Sequence, residues 1–104
     1  MRTLRQATVI GTGIYLPEKR LTNFDLEKMV DTTDEWIVTR SGIRERRLVE
    51  PGQKTSDIAI LAAEMALRNS GIKPEQIGGV ILASFTPDRP ISATSAIIAN
   101  KLGC

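Results

Sequence analysis

Residues 56–85, SDIAILAAEMALRNSGIKPEQIGGVILASF, change their apolar period once, and that change decides the fold class. In the first half Ile58, Leu61, Ala62 and Met65 form one stripe at helical spacing, and Ile60, Ala63 and Leu67 form a second. Only Asp57, Glu64 and Arg68 hold a polar strip. Gly71 ends this helix, Pro74 opens a short helical turn, and Gly79–Phe85 then runs as near-continuous apolar sequence of strand length. A helix over about 56–69 followed by a strand apolar on both faces is the unit of an α/β fold with a parallel sheet. A helix apolar around most of its circumference also requires packing partners on more than one side.

Working outward from this unit, Ala7–Tyr15 is rich in β-branched and aromatic residues and is closed by Leu16-Pro17, which predicts a first strand and a turn. Thr22 with Asp25, and Thr32 with Glu35, each have the spacing of a hydroxyl that caps a helix and an acid that returns the bond. Two short helices are expected, over about 24–30 and 33–41, with Gly42 as a left-handed cap. The charged segment Ile43–Glu50 leads to a Pro51-Gly52 turn. Beyond a Thr86-Pro87-Asp88 loop, Ser92–Leu102 reads as a helix rich in small residues, closed by Gly103. An α/β fold would enter its next strand there, so residues 1–104 read as the first portion of a larger layered domain.

Composition narrows the function classes. The 104 residues carry 14 Lys and Arg against 12 Asp and Glu, a net charge of +2, with 41% hydrophobic and 25% charged residues, as in an ordinary soluble domain. The longest apolar run is far short of the roughly 20 residues of a membrane helix, so no membrane association and a cytoplasmic location are expected. One basic stretch and 4% aromatic residues do not make a nucleic-acid protein. The chain has one cysteine and no histidine, which excludes an internal disulfide, a zinc cluster and any histidine-dependent triad built within it. No metal and no cofactor are expected.

Gly11-Thr12-Gly13 lacks the third glycine and the following helix of a dinucleotide fingerprint, since Leu16 and Pro17 stand there. Its small residues suit a close approach to a neighbouring backbone. Trp36 and Arg40, four apart on one helix, lie side by side; together they suit a purine stacked on the indole and a phosphate held by the guanidinium. Helical geometry alone leaves a core role for Trp36 equally open. Thr32 is accounted for as a helix cap. Arg44, Arg46 and Arg47, partly alternating with Ile43, Glu45 and Leu48, fit an edge strand better than a phosphate-collecting rim. Cys104, with no histidine to activate it, reads as a small hydrophobe.

The block DTTDEWIVTRSGIRERR at 31–47, with GTGIYLPEKRLTNFDLEKMV before it and the strand-loop-helix of Gly79–Gly103 after it, resembles the 3-oxoacyl-[acyl-carrier-protein] synthase III family over essentially all 104 residues. The resemblance implies a thiolase-like fold layered α-β-α-β-α, of which only the first part of the N-terminal half would be present. It implies a homodimer that acylates a cysteine from acetyl-CoA and condenses the acyl group with malonyl-acyl carrier protein, releasing carbon dioxide. Acyl-CoA would thus be a substrate and acyl carrier protein a partner, and the remaining part of the synthase would supply the catalytic cysteine, histidine and asparagine. Cys104 does not match that cysteine. Matched residue by residue, Trp36 resembles the adenine-stacking tryptophan, Arg40 the arginine that meets the CoA phosphates and Thr32 a neighbour of the adenine. Ile91 falls where relatives often place a phenylalanine reaching the partner's acyl pocket. The competing expectation is a freestanding, non-catalytic α/β module that binds CoA or another nucleotide.

Overall fold

The computed structural model describes residues 7–104, which form two compact units. One is Leu16–Gln53; the other is Lys54–Cys104 together with residues 7–15.

The first unit contains β1 (Lys19–Thr22), α1 (Asn23–Glu27), α2 (Asp34–Ser41) and β2 (Glu45–Leu48). Strands β1 and β2 pair antiparallel, with Lys19 opposite Leu48 and Thr22 opposite Glu45. The expected capping box at Thr22 is present: the Asp25 amide donates to Thr22 Oγ1 at 3.2 Å and the Thr22 amide to Asp25 Oδ2 at 3.0 Å. The helix it starts is shorter than the sequence suggested and ends at Glu27. The deepest residue of the unit is polar. Asn23 is wholly buried; its amide donates to the Arg44 carbonyl at 3.2 Å, and its carboxamide bridges to Asp34, Ile43 and Arg46.

The second unit holds α3 (Thr55–Ser70), a 3-10 turn at Pro74–Gln76 and α4 (Thr94–Leu102). Both helices match the sequence reading to within two residues. The start of α3 is capped from a distance: the Ser56 amide donates to Asp88 Oδ1 at 2.9 Å and the Ser56 hydroxyl to Asp88 Oδ2 at 2.6 Å. The Asp88 amide in turn donates to Thr94 Oγ1 at 3.0 Å, so one carboxylate residue fastens the beginnings of α3 and α4 together. Ile98 of α4 is 2% exposed, while no apolar residue of α3 is fully buried.

Two expected strands are not strands. Residues 7–15 and 79–85 have no regular secondary structure and enter no ladder; among the described residues the one sheet is β1–β2. Apolar pattern reports a surface that needs covering, whereas a strand also needs a backbone partner beside it. The first of these segments lies instead along α3. Asn69 Nδ2 donates to the Thr12 carbonyl at 2.8 Å, and a Cβ on Gly13 would stand 2.1 Å from the Ala62 carbonyl oxygen. A Cβ on Gly11 would meet Ser70 Cβ at 2.7 Å. The backbone-approach reading of Gly11-Thr12-Gly13 is thereby borne out, with a helix as the neighbour. The second segment leaves Ile81 and Phe85 entirely exposed.

Three outcomes follow from this packing. Gly13→Ala should lower unfolding stability by about 1–3 kcal/mol through overpacking against helix backbone. Gly78→Ala, whose Cβ meets nothing within 4 Å, should change it little; urea midpoints of the two variants separate the cases. The Ser56 hydroxyl, then the Ser56 amide, hold the Asp88 carboxyl below its ordinary value of 3.8. A depressed folded-state pKa gives stability that is complete above 3.8 and fades as pH falls through the lower folded value. Ser56→Ala should flatten that acid limb in a pH series of thermal melts. Finally, the open apolar segments at 9–16 and 81–91 should make the isolated chain self-associate; a monodisperse monomer by light scattering would contradict this.

Candidate functional site

The site is carried by α2, and its local sequence explains why a helix of eight residues forms there. Thr33 Oγ1 accepts from the Trp36 amide at 3.1 Å, and the Asp34 amide donates to Glu27 Oε1 at 2.6 Å, so two of the free N-terminal donors are satisfied. Asp34 and Glu35 in the first turn and Arg40 in the last complement the helix dipole. Gly42, at φ 71°, takes the left-handed closing position, and its amide donates to the Val38 carbonyl at 2.8 Å. The cap is thus Thr33 and not Thr32, because the helix begins one residue later than the Thr32–Glu35 spacing suggested.

Helical spacing then sorts the side chains. Ile37 points inward and is 7% exposed; Trp36, one position earlier, points outward and is 58% exposed. The core reading of Trp36 is therefore wrong for this chain. The Arg40 guanidinium carbon lies over the indole, 5.6 Å from the ring centroid, within range of a cation–π contact. Two shallow hollows share the indole. One is lined by Thr33, Glu35, Trp36, Thr39 and Arg40, the other by Asp31, Thr32, Thr33 and Trp36. Relieved of capping, Thr32 is a half-buried hydroxyl on the edge of the second hollow. Thr32, Trp36 and Arg40 are accordingly brought together on one small surface. Ile91 belongs to the other unit, in the loop ahead of α4, and is fully exposed.

The basic stretch has structural uses. Arg46 donates to Asn23 Oδ1 at 2.7 Å, Arg47 donates to the Pro17 carbonyl at 2.9 Å, and Glu45 lies 3.5 Å from Arg20 and 3.8 Å from Arg47. This supports the strand reading over the phosphate-rim reading. Sequence pattern did not find Asn23, Asp34 or Asp88, whose importance lies in contacts between distant positions; the only local hint is Asn23 directly after the Thr22 cap.

The arrangement is suited to binding. The three carboxyls with shifted titration, Asp25, Asp57 and Asp88, are all held below the ordinary range by hydrogen bonds, from Thr22, the Lys54 backbone and Ser56 respectively, so they serve as anionic acceptors and not as proton-abstracting bases at neutral pH. Among the described residues no group of acidic, histidine and cysteine side chains could hold a metal ion, and Cys104 is exposed. An exposed indole flanked by a guanidinium and hydroxyls offers a flat stacking surface next to an anion donor.

No family model matches the chain. Among curated proteins it is 55% identical over 97 residues to beta-ketoacyl-[acyl-carrier-protein] synthase III of Caldanaerobacter subterraneus subsp. tengcongensis, covering 93% of this chain and 29% of the relative. Among solved structures it resembles 3-oxoacyl-[acyl-carrier-protein] synthase III from Aquifex aeolicus VF5, with a TM-score of 0.80 and 47% identity, over 90% of this chain and 30% of that one. The synthase III of Thermus thermophilus gives a TM-score of 0.79 at 41% identity, again covering 30% of its length. The chain spans about three tenths of the length of the relatives it matches. With close sequence identity and the same local fold along nearly all of its residues, the chain is similar to about three tenths of a beta-ketoacyl-[acyl-carrier-protein] synthase III and carries a portion of a thiolase-like α/β fold.

Proposed function

We propose that these residues hold the nucleotide end of an acyl-CoA substrate for an acyltransferase that initiates fatty acid synthesis. In this reading the complete synthase condenses acetyl-CoA, or a related acyl-CoA, with malonyl-acyl carrier protein by decarboxylation and yields a 3-oxoacyl-acyl carrier protein. The observation that carries it is the Trp36–Arg40 pair, an indole left 58% open on a helix whose one buried residue is Ile37, with a guanidinium 5.6 Å from its centre. A tryptophan held out of the core leaves apolar area uncovered that an adenine would cover, and an arginine beside it meets phosphate with charge-assisted hydrogen bonds. Thr32 supplies a hydroxyl at the edge of the ring.

The chemistry itself belongs to residues that this sequence does not contain. There is no histidine, and Cys104 is exposed. The catalytic cysteine, histidine and asparagine are assigned to the rest of the synthase, and the complete enzyme takes acyl carrier protein as partner and acts as a homodimer. Ile91 is assigned to the acyl pocket or the dimer contact, and its full exposure is compatible with either. No metal or organic cofactor is required, because acyl-CoA is consumed as substrate and CoA is released. A cytoplasmic enzyme agrees with the absence, among the described residues, of a helix long and apolar enough to cross a membrane. The second reading, a non-catalytic CoA-binding module, rests on the same pair and differs in needing no condensation.

The test is a CoA titration followed by the emission of Trp36, the single tryptophan. Saturable quenching is expected, and Arg40→Ala should weaken it about tenfold, the scale of one charge-assisted hydrogen bond. Emission indifferent to CoA would overturn the site assignment. Formation of 3-oxoacyl product by the complete synthase, abolished with the catalytic cysteine and depressed by Arg40→Ala, separates the enzyme from the module.

A further inference from the structure

We infer that Asn23 is a positioning residue for the Trp36–Arg40 surface, acting through the main body of α2 without reaching the ligand. The inference rests on the acyl-CoA reading of that surface. One Asn23 carboxamide grips α2 at both ends. Its Nδ2 donates to Asp34 Oδ1, on the first residue of the helix, at 2.7 Å, and to the Ile43 carbonyl, two residues past the last, at 2.8 Å. Its Oδ1 accepts from Arg46 of β2 at 2.7 Å, and its own amide donates to the Arg44 carbonyl at 3.2 Å. Asn23 is 0% exposed, and no buried side-chain polar atom among the described residues lacks a partner.

The geometry admits few substitutes. The side chain must give two hydrogen bonds from one planar nitrogen and take one on the adjacent oxygen, which fixes the amide's direction. Aspartate has no donor and would set a second carboxylate against Asp34; serine has a single hydroxyl. Apart from Ile37, α2 has no fully buried apolar anchor, so the azimuth of this short helix depends on the clamp more than on packing. Azimuth is what a stacking site needs. Trp36 and Arg40 project from the outward face, and turning α2 would move the indole and guanidinium together relative to Thr32, which stands outside the helix.

The experiment uses the full 104-residue chain, with Asn23→Ser, Arg40→Ala and their double variant, at a temperature where far-UV circular dichroism matches the parent. Asn23→Ser should weaken CoA about tenfold, and the further loss on adding Arg40→Ala should shrink clearly below its effect in the parent, because a misplaced guanidinium has less to lose. A purely structural asparagine would lower the melting temperature while leaving CoA affinity and the full Arg40→Ala effect in place, and that result overturns the inference. Arg46→Gln, which removes the bond fixing Oδ1, carries the same test if Asn23→Ser does not fold, with a smaller loss in the same direction. If the parent itself shows no saturable quenching by CoA, the acyl-CoA reading fails, and the clamp is judged on collisional quenching of Trp36. Iodide is drawn to Arg40 and acrylamide is not, so the iodide-to-acrylamide ratio should drop about twofold in Asn23→Ser. An unchanged ratio overturns the clamp.

Discussion

The Leu16–Gln53 unit depends on one buried amide. Below roughly 40 residues a chain cannot bury enough apolar surface to hold itself, and this unit fully buries a single large hydrophobic side chain, Ile37, beside Asn23. A hydrophobic contact is non-directional and would leave α2 free to turn about its axis. Hydrogen bonds to a fixed carboxamide are directional. Asn23 therefore substitutes geometry for area: α1 supplies the amide, Asp34 and Ile43 bracket α2, and Arg44 and Arg46 bring β2 to the same point. The cost of burying a polar group is offset only when every donor and acceptor is paired, and here all of them are.

The other unit repeats the device with different chemistry. The deepest position of α3 is Ser56, and its partner is the carboxylate of Asp88, whose backbone amide also reaches α4 by donating to the Thr94 hydroxyl. Lys54 at the helix start supplies no side-chain cap, so a loop 32 residues away does so. Satisfying a helix's free amides with a distant carboxylate couples helix formation to loop placement. The Thr86 carbonyl, accepting from the Thr55 hydroxyl, fastens the same loop a second time.

Much of the fold was legible in the sequence because it is local. The Thr22–Asp25 box, the Gly42, Gly71 and Gly103 closures and the span of α3 are each fixed by residues within a few positions of one another. Trp36 and Arg40 were legible for the same reason, being one helical turn apart. What the sequence could not settle was the direction in which the indole points; that follows from Ile37 taking the buried side. Nor could it show β1, whose residues Lys19–Thr22 carry no strand pattern and pair because Asn23 and Arg47 bring β2 alongside. The misassigned Thr32 cap shows the limit of spacing rules. Thr32 and Thr33 are both hydroxyls ahead of an acidic turn, and the choice fell to Thr33 when Glu27 took the Asp34 amide.

The two segments expected as strands carry the same argument further. Residues 7–15 and 79–85 have the composition of buried strands, yet Val9 is 80% exposed and Phe85 has no cover at all. Composition of this kind encodes an environment and not a conformation, and it becomes a strand only where a neighbouring backbone completes the ladder. Gly11 and Gly13 nevertheless seat one of these segments against α3, because close approach to a helix needs only the absence of a Cβ. The seat thus precedes the sheet: helix contact fixes where the segment runs, and strand pairing, where a partner is available, would fix its register. That division places the structural information of residues 7–15 in two glycines and leaves the β-branched residues between and around them exposed.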